Sequence, residues 1–433
     1  MRARFARRAP TTGLVRPALC YTPRALAVRR PPDVREVTAV KRSTDRILTT
    51  HVGSLPRPPD LIPLLLAKDS GQPYDADDLA RRVRDAVRSV VAQQGELGID
   101  VVNDGEHSKS SFVAYPYTRL GGFEPTDQPI GSRVTTRDAL AFPAVYEEQR
   151  AMYAARPSKR GRPASRPSLV CTGPITYVGQ HDVQTDVENL RAALQGVPAA
   201  EAFMTAISPN NLALNYRNAY YRTHDEYLLA LADAMREEYR AIVDAGFVLQ
   251  IDDPWLATHY DRSPGASIEE CRRAIATGVE AVNHALRGIP EDRVRFHTCY
   301  SVNVAPRVHD FELKHFVDLM LQIRAGAYSF EAANPRHEHE WVVWQDVKLP
   351  DDKLLIPGVV SHCVALVEHP ELVAQRIVRF AGVVGRERIL AANDCGFATS
   401  AAGDEPHPDV AWAKLGALTE GARLASRQLW GRA

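Results

Sequence analysis

No apolar run among the 433 residues approaches the roughly 18 needed for a membrane span, so no membrane partner is expected. An excess of one charge is missing too: 53 basic residues balance 53 acidic ones, which leaves no basic surface to argue for nucleic acid. Cysteine is scarce. Cys20, Cys171, Cys271, Cys299, Cys363 and Cys395 are too few and too scattered for a disulfide framework in a chain this long. They suit a reducing compartment, and a cytoplasmic location is expected. Neither a Gly-x-Gly-x-x-Gly turn nor a Gly-Lys-Ser/Thr phosphate loop occurs, so nucleotide chemistry has no support. The composition that remains is that of a soluble enzyme acting on small molecules, with thiols available for a metal.

Acidic residues are absent from the first 31 positions, which carry eight arginines; the rest of the chain has 45 basic and 53 acidic residues, a net of −8. Residues 1–44 therefore read as a separate Arg-rich extension, either disordered or a leader. The composition fits an organelle transit peptide as well as an upstream start, and it lacks the long apolar centre of a secretory signal. Residues 45–433 read as the catalytic domain. Its stretch 124–166 is rich in Pro, Gly, Arg and Thr, most clearly at Arg156 to Pro163, and reads as an insertion or lid.

Past the leader, short apolar runs alternate with longer amphipathic stretches, the pattern of repeated βα units. The clearest helix starts at Asp77, with Leu79, Val83, Val87 and Val91 spaced four apart on one face. Six strand-like runs end in polar residues: Gly98 to Asn103 before Asp104-Gly105-Glu106, and Phe247 to Ile251 before Asp252-Asp253-Pro254. Val294 to Phe296 precedes His297-Thr298-Cys299, and Tyr328 to Phe330 precedes Glu331. Leu354 to Val360 leads into Ser361-His362, and Ile389 to Ala392 into Asn393-Asp394-Cys395. Strand ends that carry chemistry at so many separate places predict an α/β fold, a single (β/α)8 TIM-type barrel, whose active site gathers at the C-terminal ends of its strands. A doubly wound open sheet is the alternative; it usually recruits only one switch-point crevice.

His297 and Cys299 are two apart, so on an extended segment both side chains point the same way. An imidazole and a thiolate suit borderline-soft zinc (Zn²⁺) better than magnesium or calcium. Cys395, at another strand end and beside Gly396, is the best third ligand, and Glu331 is a natural, displaceable fourth. The spacing by itself also fits a buried cysteine beside a hydrogen-bonded histidine. His337 and His339 form a rival pair, but Arg336, Glu338 and Glu340 around them predict a solvated loop. Cys363, beside His362, is a substitute ligand in principle, although Val364-Ala365-Leu366 predict burial. Trp255 is expected to line the pocket or pack beneath it.

Ile47 to Pro58 with its Val52-Gly53-Ser54, Asp104-Gly105-Glu106, Gln250 to Pro254, His297 to Tyr300 and Asn393 to Gly396 resemble, in order, the motifs of the catalytic domain of cobalamin-independent methionine synthase. The likeness runs from about Ile47 to Thr399. It implies a zinc-bearing barrel that transfers a methyl or alkyl group to a thiol, with His297, Cys299, Glu331 and Cys395 as zinc ligands. It further implies that Val52, Gly53 and Ser54 meet the carboxylate of a homocysteine-like acceptor, that Glu106 and Asp252 hold its ammonium, and that His362 donates a proton. Read singly, Asp252 could cap a turn, Glu106 could pair with Lys109, and Ser54 could satisfy a loop amide.

The chain departs from the family on the donor side. Full-length enzymes of this type carry a second, N-terminal barrel that helps bind folate, whereas here an Arg-rich leader precedes the motifs. Gln180 stands near the place of a folate-facing tryptophan, and Thr258 near that of an acidic contact. The expected function is a zinc-dependent S-methyltransferase acting on homocysteine or a similar thiol with a methyl or alkyl donor. The alternatives are epoxyalkane:coenzyme M transferase-like thiol alkylation, a non-catalytic zinc- or thiol-binding barrel, and a zinc hydrolase. Two cysteine ligands suit the hydrolase least.

Overall fold

The computed structural model describes residues 39–126, 135–155, 168–301, 306–401, 403 and 406–431. Eight parallel strands form its centre: β1 (Leu48–Thr49), β2 (Val101–Val102), β3 (Glu201–Ile207), β4 (Val248–Asp252), β5 (Val294–Thr298), β6 (Ala327–Phe330), β7 (Leu354–Val360) and β8 (Leu390–Asn393). Each pairs with its sequence neighbour from β3 to β8; β2 pairs with β3 and β1 with β8, so the order never reverses. The ring closes between β1 and β2, where the Asp100 N–H donates to Thr49 O at 3.1 Å. Thr49 N in turn donates to the Asp100 carboxylate at 2.9 Å. A doubly wound sheet, with its reversal point, is excluded.

The helices between strands follow from local signals. Ala76–Glu96 starts at Asp75, whose carboxylate accepts from the N–H groups of Asp77 and Asp78, and it buries Leu79, Val83, Val87 and Val91 as the four-residue stripe requires. His224–Asp244 and Ile268–Ala285 each open with a full capping box, Thr223 with Glu226 and Ser267 with Glu270. The last two long helices, Pro370–Val384 and Pro408–Trp430, pack against each other at Gly421, where an added Cβ would come 2.9 Å from Pro370 O.

A small extra sheet pairs Leu120–Thr126 antiparallel with Ser168–Tyr177, both between β2 and β3, and adds Arg217–Asn218, from between β3 and β4, parallel to the latter. Buried Arg119 pins this sheet to the barrel through Asp186 at 2.6 Å and Glu238 at 3.3 Å. Of the expected insertion at 124–166, the described part holds the helices Arg137–Ala141 and Pro143–Ala155. Arg137 Nε donates to Tyr260 O, and Asp138 accepts from Val308 N, so this part is tied to the segments after β4 and β5. The Arg-rich run Arg156–Pro163 lies outside the described residues, as does the leader up to residue 38. Val40 and Ser43 are buried, and Ser43 Oγ donates to Ile389 O at 2.5 Å, so barrel packing begins before residue 45. Among the described residues no helix is long and apolar enough to cross a membrane, and all five cysteines are free.

The Gly421 contact leaves no room for a methyl group. Gly421→Ala is expected to cost roughly 1–3 kcal/mol through overpacking. Gly416→Ala, in the same helix with nothing within 4 Å, should instead be neutral or stabilising by up to about 1 kcal/mol. Urea midpoints of the two variants check this, and a loss at both positions would show that helix packing is not the cause.

Candidate functional site

The C-terminal ends of the strands surround a cleft of about 510 Å³ lined by Val52, Ser54, Glu106, Phe112, Asp252, Pro254, His297, Cys299, Ser301, Cys395, Gly396 and Thr399. Residues from five strand ends thus meet in one place, as the barrel reading requires.

His297 is the last residue but one of β5, and its Nδ1 meets Ser329 Oγ of β6 at 3.1 Å. That contact turns Nε2 into the cleft, where it is buried and has no hydrogen-bond partner among the described residues. Cys395 Sγ lies 3.2 Å from Cys299 Sγ. The donor atoms of His297, Cys299 and Cys395 all lie within 4.8 Å of one another. Burial pushes the His297 imidazole down to about 3, and Arg295 and His362 act the same way, so the ring is neutral and offers a lone pair. The hydrogen bond with Cys299, followed by burial, pushes the Cys395 thiol well above its ordinary value. A buried imidazole nitrogen with no partner and two abutting sulfurs fit a soft or borderline cation, and zinc fits best.

Glu331, His362 and Asp394 gather in a second buried cluster. The Tyr300 N–H donates to Glu331 Oε1 at 2.6 Å, and Asn334 Nδ2 donates to Oε2. Burial and the nearby Asp394 lift the Glu331 carboxyl to about 8. Burial and Arg307 hold His362 down at about 3, and its Nε2 stands 3.0 Å from Cys363 Sγ. Glu331 and His362 thus neighbour the His-Cys-Cys group, and neither lines the cleft.

Glu106 and Asp252 bring two buried carboxyl groups to the same cleft. Glu106 takes a left-handed backbone (φ 58°), a conformation costly for a non-glycine residue. Its Oε1 accepts from Thr205 Oγ1 at 2.9 Å, while Oε2 is buried without a partner among the described residues. Lys109 does not pair with it: Nζ donates to Thr205 O at 2.6 Å and to Thr205 Oγ1 at 3.2 Å. Nor does Asp252 cap a turn. Its Oδ1 accepts from Gln250 Nε2 at 2.7 Å, and burial, then Glu106, raise its carboxyl well above the ordinary range. Two buried carboxyl groups thus face one cleft, and the unpartnered Glu106 Oε2 can accept a hydrogen bond there. Gly53 (φ 140°) passes so close that an added Cβ would meet Thr205 Cγ2 at 2.7 Å and Glu106 Oε1 at 3.0 Å.

Several side chains near the site behave otherwise than the sequence suggests. His337 is buried, not solvated: Nδ1 meets Glu340 at 2.8 Å, Nε2 meets Asp310 at 3.1 Å, and the ring stacks on Tyr300 at 3.6 Å. With both nitrogens engaged and His339 exposed, the rival metal pair falls away. Val364, Leu366 and Val367 are exposed instead of buried, because polar contacts such as Lys414 Nζ to Leu366 O hold that loop. Trp255 packs beneath the site against Gly278. Gln180 and Thr258 are satisfied locally, by Tyr177 O and Glu237 and by Pro254 O respectively. Thr205 and Ser329 were not singled out from the sequence: Thr205 lies inside an unrecognised strand, and Ser329 is an ordinary residue of a recognised one.

A family model described as cobalamin-independent synthase, catalytic domain, matches residues 47–208 and 216–411. The methionine synthase of Saccharolobus solfataricus is 25% identical over 387 residues, covering 88% of this chain and 95% of that protein. That of Thermococcus kodakarensis is 24% identical, covering 88% and 94%. Among solved structures, the B12-independent methionine synthase of Shewanella sp. W3-18-1 matches with a TM-score of 0.66 at 18% identity, covering 89% of this chain and all of the other. Relatives spanned this fully have no second barrel beyond the match.

His337 generates a pH test of the wall behind Tyr300. Burial pulls its imidazole down, but hydrogen bonds to Asp310 and Glu340 outweigh this and hold it at about 9. The raised value stabilises the fold fully below pH ~6.5, and the contribution is lost as pH rises through about 9. His337→Gln should therefore cost up to about 3 kcal/mol at pH 6, shrinking towards pH 10. Urea melts of both proteins across that range check it; a pH-independent difference would contradict the charged assignment.

Proposed function

The chain belongs to the cobalamin-independent synthase catalytic-domain family, and on that premise we propose that it is a zinc-dependent S-methyltransferase whose acceptor is homocysteine or a closely similar amino-acid thiol. The observation that carries this reading is one cleft holding two kinds of unpartnered buried group: His297 Nε2 beside two thiols, and Glu106 Oε2 beside Asp252. The first suits a metal that takes a sulfur ligand, and the second suits an ammonium.

His297, Cys299 and Cys395 would hold the ion, with Glu331 the proposed fourth, displaceable ligand. Bound there, zinc supplies Lewis acidity that keeps an acceptor thiol deprotonated at neutral pH. Val52, Gly53 and Ser54 are the proposed contacts for the acceptor's carboxylate, and Glu106 and Asp252 for its ammonium. The acceptor thiol gives up its proton, its sulfur–carbon bond forms as the bond from methyl to donor breaks, and the departing group takes a proton. His362 is the proposed proton donor. Because burial keeps its ring neutral, it must first take up the proton it delivers, and the acceptor thiol is one source. A sulfonate-bearing acceptor such as coenzyme M would bring a negative charge to the carboxylate pair, which counts against the epoxide-alkylating alternative.

Cys395→Ser and His297→Ala are expected to lower zinc from about one equivalent per chain to little or none, measured by elemental analysis after dialysis. Full occupancy in both variants would remove the ligand assignment. Asp252→Asn should raise KM for L-homocysteine about tenfold or more, with a much smaller effect on a thiol lacking the amino group. Equal losses for the two would reject the ammonium contact. The activity is tested by thioether formation from L-homocysteine with methylated folates, methylcobalamin and epoxides, with and without zinc. Zinc-dependent methionine formation is expected, and no product from any donor would favour a non-catalytic zinc- or thiol-binding barrel.

A further inference from the structure

Gln250 is fully buried inside the barrel on β4, two residues below Asp252 and in register with Arg295 of β5. Its Nε2 donates twice, to Val52 O at 2.5 Å and to Asp252 Oδ1 at 2.7 Å, while its Oε1 is buried with no partner among the described groups. Both partners of the nitrogen are acceptors, a carbonyl and a carboxylate, so the orientation of the amide is fixed by chemistry: turned over, its oxygen would face two oxygens. Both protons of the amide nitrogen are therefore used, one on each side of the acceptor site.

The bond to Val52 O has a directional consequence. In a trans peptide the carbonyl of one residue and the N–H of the next point in opposite directions, so holding Val52 O towards Gln250 turns the Gly53 N–H away from the barrel interior. Arg295 steadies the preceding residues, with Nη1 donating to Thr50 Oγ1 and Nη2 to His51 O, each at 3.0 Å. The loop Val52-Gly53-Ser54 and the Asp252 carboxylate are thus registered to each other through a single side chain.

We propose that Gln250 is the positioning residue that sets α-amino-acid specificity: its amide fixes the spacing between the loop that receives the acceptor's carboxylate and the carboxylate that receives its ammonium. This inference rests on the amino-acid thiol reading of the cleft. Gln250 touches no substrate. It acts by holding Val52 and Asp252 at the separation of the two ends of one α-amino acid, a distance that a thiol without those groups does not need.

The test compares wild type with Gln250→Met, which keeps the shape and donates nothing, and Gln250→Glu, which sets a carboxyl against two oxygens. Steady-state kcat and KM are measured for L-homocysteine and for 1-propanethiol with one methyl donor, alongside zinc content and circular dichroism. The ratio of kcat/KM for L-homocysteine to that for 1-propanethiol is expected to fall about 30-fold in both variants, mainly through KM for L-homocysteine. Should Gln250→Glu fail to fold, Gln250→Met decides. A ratio within about twofold of wild type in Gln250→Met overturns the role of Gln250 while leaving the acceptor reading intact. Wild-type protein that shows no preference for L-homocysteine overturns both.

Discussion

Closure of the barrel at Asp100 is the constraint on which the site depends. Its carboxylate accepts from Thr49 N at 2.9 Å, from Thr49 Oγ1 at 3.1 Å and from Arg46 at 2.5 Å, and its own N–H donates to Thr49 O. β1 and β2 contribute only two residues each to the sheet, too few for ladder hydrogen bonds to hold the seam alone. With the seam shut, the loop after β1 lies beside Glu106 from β2 and within reach of Gln250 and Arg295 from the opposite wall. It also meets the segment after β8, where Phe397 N donates to Ser54 O at 3.0 Å. The loop after β1, the two carboxyl groups and the thiols Cys299 and Cys395 belong to elements far apart in sequence, and ring closure makes them neighbours.

Inside that ring, stability and function pull in different directions. A buried polar atom without a partner costs free energy, yet His297 Nε2, Glu106 Oε2 and Gln250 Oε1 are all in that condition at the top of the barrel. Away from the cleft some buried polar groups are fully matched, Arg119 by Asp186 and Glu238 and His337 by Asp310 and Glu340, while others such as Trp344 Nε1 and Glu201 Oε2 are not matched among the described residues. What sets the cleft apart is that His297 Nε2 and Glu106 Oε2 both face it, beside two thiols and a left-handed glutamate backbone. A metal and an ammonium together would satisfy His297 and Glu106.

The fold was legible because the candidate site residues themselves mark the strand ends. Six runs that stop at Glu106, Asp252, His297, Glu331, His362 and the Asn393-Asp394-Cys395 segment announce a barrel more clearly than hydropathy does. β3 gives no such mark for the complementary reason: Glu201–Ile207 is followed by Ser208, which carries no obvious chemistry, and Thr205, which donates to Glu106, lies mid-strand. β1 is two residues long and gives no periodic signal. His337 misled because Arg336, Glu338 and Glu340 look solvated in sequence. In the fold Glu340 turns inward, where its Oε1 accepts from Leu313 N at 2.8 Å and its Oε2 holds the histidine. Charge in sequence reports exposure only when no partner waits inside. Gln250 stood inside a family-like motif, Gln250 to Pro254, but its part was not legible, since a glutamine on a buried strand shows its importance only through the two acceptors that tertiary structure brings to it.

The central claim is that His297, Cys299 and Cys395 present a zinc ion to the sulfur of the acceptor. Zinc-edge X-ray absorption of the purified protein, with and without L-homocysteine, tests it most directly. Two sulfur neighbours completed by nitrogen and oxygen should be found in the free protein, with a third sulfur gained when L-homocysteine is added. A first shell without sulfur, or one that L-homocysteine leaves unchanged, would contradict it.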